Sequence, residues 1–112
     1  QQKMNRIDII LLDEVRDFLK SLSPEALRKI YANIRKVQNG VIDKNIFKKL
    51  TGTDFWEFRT HYSGQCYRLI AFWDKTEKSL VVCTHGFIKK VQKTPKNEID
   101  KATSIRHNYE RS

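Results

Sequence analysis

Glycine, proline, cysteine and acidic side chains are all scarce in this chain. Four glycines and two prolines in 112 residues leave little room for disorder away from the ends. No apolar run approaches the roughly 20 residues that a membrane-spanning helix needs. The stretch Ile7 to Leu12 is interrupted by Asp8 and does not form a signal-peptide core, so a cytoplasmic protein without a membrane role is expected. The two cysteines, Cys66 and Cys83, fall in predicted strands and read as buried thiols rather than a disulfide. They and the three histidines lack the paired spacing of a zinc site. There is no glycine-rich phosphate loop, no nucleophile elbow and no paired-histidine motif. Neither a metal nor a cofactor is therefore expected.

The shortage of acid is the informative one. Twenty-two lysines and arginines face 13 aspartates and glutamates, a formal charge of +9. The excess is uneven. Residues 1–20 are balanced, whereas residues 85–112 carry seven basic and three acidic side chains. Such a balance concentrates anions around the protein and favours a phosphate-rich or acidic partner.

At this length the chain is read as one domain over residues 1–112. Arg6 to Leu12 reads as a strand. A helix follows, with Asp13 as cap and Val15, Phe18, Leu19 and Leu22 on one face. Ser23-Pro24-Glu25 starts a second helix as N-cap, first-turn proline and dipole-matched acid. Its apolar stripe is Leu27, Ile30, Tyr31, Ile34 and Val37, and Asn39-Gly40 ends it. The two helices are expected to form a hairpin against one face of a sheet. Ile46, Phe47 and Leu50 suggest a turn of helix or irregular packing. Thr94-Pro95 is expected to open the last helix as N-cap and first-turn proline.

Between these helices lie three strands. Phe55 to His61 alternates, with Trp56, Phe58 and Thr60 on one side and Phe55, Glu57, Arg59 and His61 on the other. In the next strand Cys66, Arg68, Ile70 and Phe72 share a face. An antiparallel pairing then puts Arg59 and Arg68 on the same face. Two neighbouring cations repel, and a bound anion would relieve them; the simpler reading is that each pairs with a carboxylate, Glu57 being nearest. The third strand, Leu80 to Phe87, runs into Lys89, Lys90, Lys93 and Lys96 with no acid among them. The expected fold is α+β: strand, helix, helix, three strands, helix, with a mostly antiparallel sheet.

This set suits RNA cleavage. A 2′-hydroxyl attacks the adjacent phosphate once a base takes its proton, an acid protonates the leaving oxygen, and cations stabilise the added charge. Arg59 and Arg68 fit the last role, Glu57 is a possible base, and Lys90, Lys93 or His85 a possible acid. Lys48, Lys49, Lys89 and Lys96 are expected to contact nucleic acid.

Three stretches also resemble a known family: Trp56-Glu57-Phe58-Arg59, Tyr67-Arg68-Leu69, and His85-Gly86-Phe87-Ile88-Lys89-Lys90 followed by Gln92-Lys93-Thr94-Pro95. Together they look like the RelE/ParE superfamily of bacterial type II toxins, in its HigB-like, phage-derived branch. The resemblance spans nearly the whole chain. It implies a RelE-like fold and a ribosome-dependent mRNA endonuclease held in check by a helix-turn-helix antitoxin. By motif position it assigns handling of the scissile phosphate to Arg59, Arg68, Lys89 and Lys90. A lysine that some RelE members carry on the first of these strands is matched here by Glu57. ParE members share the fold but inhibit DNA gyrase, which leaves a non-catalytic inhibitor, or a plain basic nucleic-acid-binding module, as the alternative.

Overall fold

A computed structural model describes residues 6–90 and 93–112 of the chain. Val91 and Gln92, within the expected basic loop, lie outside the described residues. The elements follow in the order β1 (Asp8–Leu11), α1 (Asp13–Lys20), α2 (Pro24–Gln38), β2 (Phe47–Lys49), β3 (Trp56–Tyr62), β4 (Gln65–Trp73), β5 (Leu80–Lys89) and α3 (Lys96–Arg111). The strands form one sheet in the order β1-β5-β4-β3-β2. β1 runs parallel to β5, and the other three pairings are antiparallel. The expected α+β, mostly antiparallel architecture is therefore observed, with the parallel strand making the sheet mixed.

Local chemistry explains most of these elements. Ser23 caps α2 as expected, its Oγ accepting from the Ala26 amide at 3.2 Å. Ser63 and Gly64 both have positive φ, 51° and 76°, which makes the two-residue turn joining β3 to β4. The alternation read from β3 and β4 also holds, with Phe58 paired to Leu69 and Arg59 to Arg68.

The expectations fail at three places. Asp13 does not cap α1; Leu12 holds the cap position, and Asp13 and Glu14 sit in the first turn, where they suit the helix dipole. Phe47–Lys49 is a three-residue edge strand rather than a helical turn, because Phe47 is buried opposite Phe58 and stacks on Trp56 at 4.8 Å. Thr94 does not cap α3; Pro95 holds that position without a side-chain cap.

Helices pack on both faces of the sheet. On one, the α1–α2 hairpin packs Val15, Leu19, Ile30, Ile34 and Val37 against Phe58, Leu69, Ala71 and Val81, with Trp56 partly buried at the margin. On the other, Ala102, Ile99 and Tyr109 of α3 cover Phe55, Ile70, Phe72 and Val82. Arg106 completes this stripe, its guanidinium 4.5 Å from the Phe72 ring centroid. α3 thus occupies part of the face opposite the hairpin, and the arginines of β3 and β4 lie in the part it leaves. Cys83 is buried in the first core, while Cys66 is half-buried on the arginine face; both are free thiols.

Gly86 lets α1 approach the sheet. A Cβ there would overlap the Phe18 ring and the Leu69 methyl. Gly86→Ala is expected to destabilise the protein by about 1–3 kcal/mol through overpacking. Chemical denaturation measures this, and an unchanged midpoint would mean that α1 moves away freely.

A cationic cleft as the candidate active site

The uncovered part of the α3 face is a cleft of about 800 Å³. Its floor is Glu57 and Arg59 of β3 with Lys89 at the end of β5. One wall carries Lys48 and Lys49 of β2, and the other Lys93, Thr94 and Lys96 at the entrance to α3. Six cations thereby meet two acids, Glu57 and Asp100, in one concavity. The strands alone would leave Lys48 and Lys96 far apart in sequence; the sheet order and the return of α3 bring them together.

Glu57 is the hub of this floor. It is 1 % exposed, yet both of its oxygens have donors. Arg68 Nη1 donates to Oε1, forming a buried ion pair. Thr94 Oγ1 donates to Oε2 at 2.7 Å. Arg68 itself is buried beneath the cleft, and its Nε donates to Cys66 Sγ at 2.8 Å. The carboxylate partner foreseen for the arginines is thus found for Arg68.

Arg59 is different. Its Nε lies 4.0 Å from Glu57 Oε1, at the limit of an ion pair, and makes no hydrogen bond among the described residues, although that atom is buried. A buried guanidinium N–H without an acceptor is costly, and an anion in the cleft would supply one. The backbone of Arg59 is held firmly. Its amide donates to the Ile46 carbonyl at 2.8 Å, and its carbonyl accepts from Asn33 Nδ2 at 3.2 Å. Asn33 also donates to Thr60 Oγ1 at 3.0 Å. Its position amid the apolar stripe of α2 was the only sequence signal for this role.

Lys89 stands across the sheet from Cys66. Burial, and then the Arg68 guanidinium, hold its ammonium below the usual lysine range, with Glu57 opposing them. Lys49 Nζ donates to the Thr53 carbonyl at 2.6 Å, and Lys96 pairs with Asp100 at 3.2 Å. Lys48 and Lys93 form no ion pair among the described residues. Two of the sequence-predicted residues lie elsewhere. Lys90 is exposed beyond the end of β5 and does not line the cleft. His85 is buried under α3, with Nδ1 3.0 Å from Thr84 Oγ1 and Nε2 2.9 Å from Glu98 Oε1. Neither Thr94 nor Cys66 was assigned to the site from the sequence, Thr94 because its cap signature pointed elsewhere and Cys66 because it read as a buried thiol.

His85 fastens β5 to α3. The neutral ring donates through Nε2 to Glu98, and Nδ1 shares the single Thr84 hydroxyl proton with the Ile70 carbonyl, which that hydroxyl reaches at 3.2 Å. Burial lowers its pKa from the ordinary 6.5, and the Glu98 contact only partly offsets this. A lowered folded-state value means that the unfolded chain binds the proton more readily. The stability is therefore complete above about 6.5 and is lost as the pH falls through the lower folded-state value. The gap in thermal midpoint between the wild type and His85→Gln is expected to narrow from pH 7 to pH 5, as thermal melts at a series of pH values would record. A gap that widens would contradict a neutral buried histidine.

The geometry can be set beside known proteins. The family model described as phage derived protein Gp49-like matches residues 17–107. No match was found among curated proteins. Among solved structures, a mutant of the E. coli toxin RelE in the free state superposes with a TM-score of 0.63 at 16 % identity, covering 89 % of this chain and 97 % of that one. The toxin–antitoxin complex RelBE2 from Mycobacterium tuberculosis gives a TM-score of 0.51 at 20 % identity, over 80 % of this chain and 98 % of the other. The resemblance to the RelE superfamily read from the sequence motifs is borne out in family and fold. The chain belongs to the phage-derived Gp49-like family, and its fold is that of the RelE toxins.

Proposed function

We propose that this protein is the toxin of a type II toxin–antitoxin system, of the HigB-like kind, and that it cuts mRNA on the ribosome. The observation that carries this reading is the buried Nε of Arg59, which has no hydrogen-bond acceptor among the described residues and faces a cleft lined by lysines. A scissile phosphate would give that donor its acceptor. As the 2′-oxygen attacks, the phosphate gains negative charge. A cation fixed on a strand is worth more to that transition state than to the ground state. Arg59 fits this role, with Lys89 and Lys93 beside it.

Lys89 suits proton donation to the leaving 5′-oxygen, since its lowered pKa makes it a stronger acid than a free lysine. Glu57 is assigned to organisation rather than proton abstraction, because Arg68 and Thr94 already engage both of its oxygens, and the 2′-hydroxyl proton passes to solvent as the 2′-oxygen bonds to phosphorus and the 5′-oxygen leaves with the Lys89 proton. Arg68 acts through Glu57 and from below. His85 and Lys90, weighed as acids from the sequence, are assigned to fastening α3 and to general attraction of RNA. Lys48, Lys49 and Lys96 would grip phosphates flanking the scissile one. The protein's own cations supply the charge stabilisation, so the reaction proposed needs no metal.

An antitoxin partner follows from the same reading. The RelBE2 structure is a toxin–antitoxin complex. For this chain we propose a cognate antitoxin of helix-turn-helix type that covers the cleft or bars entry to the ribosome. A ribosomal target also implies the cytoplasm, and no helix among the described residues is long and apolar enough to cross a membrane.

Single-turnover cleavage of ribosome-bound mRNA tests the proposal. Arg59→Ala is expected to slow cleavage by ~10²-fold or more, with ribosome pelleting largely retained. Wild-type cleavage by Arg59→Ala would remove Arg59 from the site. If the wild type itself leaves ribosome-bound mRNA intact, a non-catalytic binding role of the gyrase-inhibitor kind replaces this one.

A further inference from the structure

Two helices in this chain begin with the same signature, a hydroxyl residue followed by proline. In α2 it works as a cap, Ser23 Oγ accepting from the Ala26 amide. In α3 it does not. Pro95 occupies the cap position with no side-chain bond, and the Thr94 hydroxyl instead reaches Glu57 Oε2, 37 positions away in sequence. A local preference set aside in this way marks a residue recruited for another purpose.

The bond joins two parts of the cleft, and among the described residues no other side-chain hydrogen bond ties Lys93 or Thr94 to the floor. Glu57 belongs to the floor and Thr94 to the wall that also carries Lys93 and Lys96. Further along, the wall is anchored to the sheet by the His85–Glu98 contact at 2.9 Å and by Ile99 packing on the Ile70 and Phe72 core. Those contacts fix the first turn of α3 but not the residues before it. Thr94 is the pin there. It also ends a continuous chain of side chains, Cys66 to Arg68 to Glu57 to Thr94, so the wall is registered to both central strands.

We propose that Thr94 is a positioning residue of the cleavage reaction, holding the Lys93 wall over the Arg59 floor so that both sides close on one phosphate. This rests on the reading of the cleft as an endoribonuclease site. The anion site is then a two-sided clamp, with Arg59 and Lys89 supplied by the rigid sheet and Lys93 by a segment that the Thr94 hydroxyl ties to Glu57. Glu57 serves this clamp twice, orienting Arg68 through one oxygen and Thr94 through the other.

The test compares Thr94→Val, which keeps the shape and removes the donor, with Thr94→Ser, which keeps the donor. Cleavage of ribosome-bound mRNA is measured at saturating and subsaturating ribosome, and amide hydrogen exchange is followed across residues 93–99. Thr94→Val is expected to lower the saturated rate by about tenfold, since small misplacements of a reacting group are costly. The half-saturating ribosome concentration should change by less than about twofold, because the other cleft lysines still attract RNA. Exchange over residues 93–99 should accelerate in the valine variant. Thr94→Ser should restore both the rate and the protection. A purely structural role would instead lower the thermal midpoint and active fraction together and leave the rate per folded molecule unchanged. Wild-type rate and exchange in Thr94→Val would overturn the proposal. If no variant cuts RNA and exchange still accelerates only in Thr94→Val, the pin stands and the endonuclease reading fails.

Discussion

One buried carboxylate holds the candidate site together. Arg59 and Arg68 stand directly across from each other on neighbouring strands, an arrangement that is repulsive by itself. Glu57, two residues before Arg59, neutralises one of them in a nearly water-free position. A buried charge is tolerable only when it is paired and its remaining lone pairs are filled. Arg68 and Thr94 meet that condition for Glu57. Removing one partner of such a pair commonly costs 3–5 kcal/mol, so the site and the stability of the sheet are linked at this point. What Glu57 does not fully satisfy is Arg59, and that remainder is what the cleft offers to an anion.

The rest of the fold arranges access to this group. The α1–α2 hairpin covers one face of the sheet, and Gly86 leaves the room that the Phe18 ring of α1 occupies. The other face is shared. α3 covers the half nearest Phe72 and Val82 and stops where the arginines begin. Its first turn is both a lid on His85 and a wall of the cleft. The edge strand β2 forms the opposite wall, which is why a segment of only three residues matters. Fold likeness to RelE toxins at 16 % identity fixes the architecture but not the chemistry, since one fold can host different activities. The chemistry has to be argued from the cleft.

Much of this was legible in the residues themselves. The two-residue alternation of β3 and β4 foretold that Arg59 and Arg68 share a face, because side chains on a strand can point only two ways. Ser23-Pro24 foretold the start of α2 for an equally local reason. The misses share a cause as well. β2 is too short for periodicity to reveal, and its strand character comes from Phe47 finding Phe58 across the sheet. Thr94 carried a cap signature that a distant carboxylate overrode. His85 looked available for acid chemistry until α3, brought back from the end of the chain, buried it. In each case the deciding partner is remote in sequence, and local pattern cannot supply it.

The central claim is that Glu57 organises the cations of the cleft and does not itself take the substrate proton. The rate of single-turnover mRNA cleavage against pH, measured for the wild type and for Glu57→Gln, tests this most directly. The amide keeps an acceptor for Arg68 or Thr94 but cannot act as a base at any accessible pH. The account predicts a lower plateau with the shape of the wild-type profile retained, including any fall on the acid side. Disappearance of the acid limb in Glu57→Gln, with the alkaline behaviour unchanged, would show that Glu57 is the base and would contradict the account.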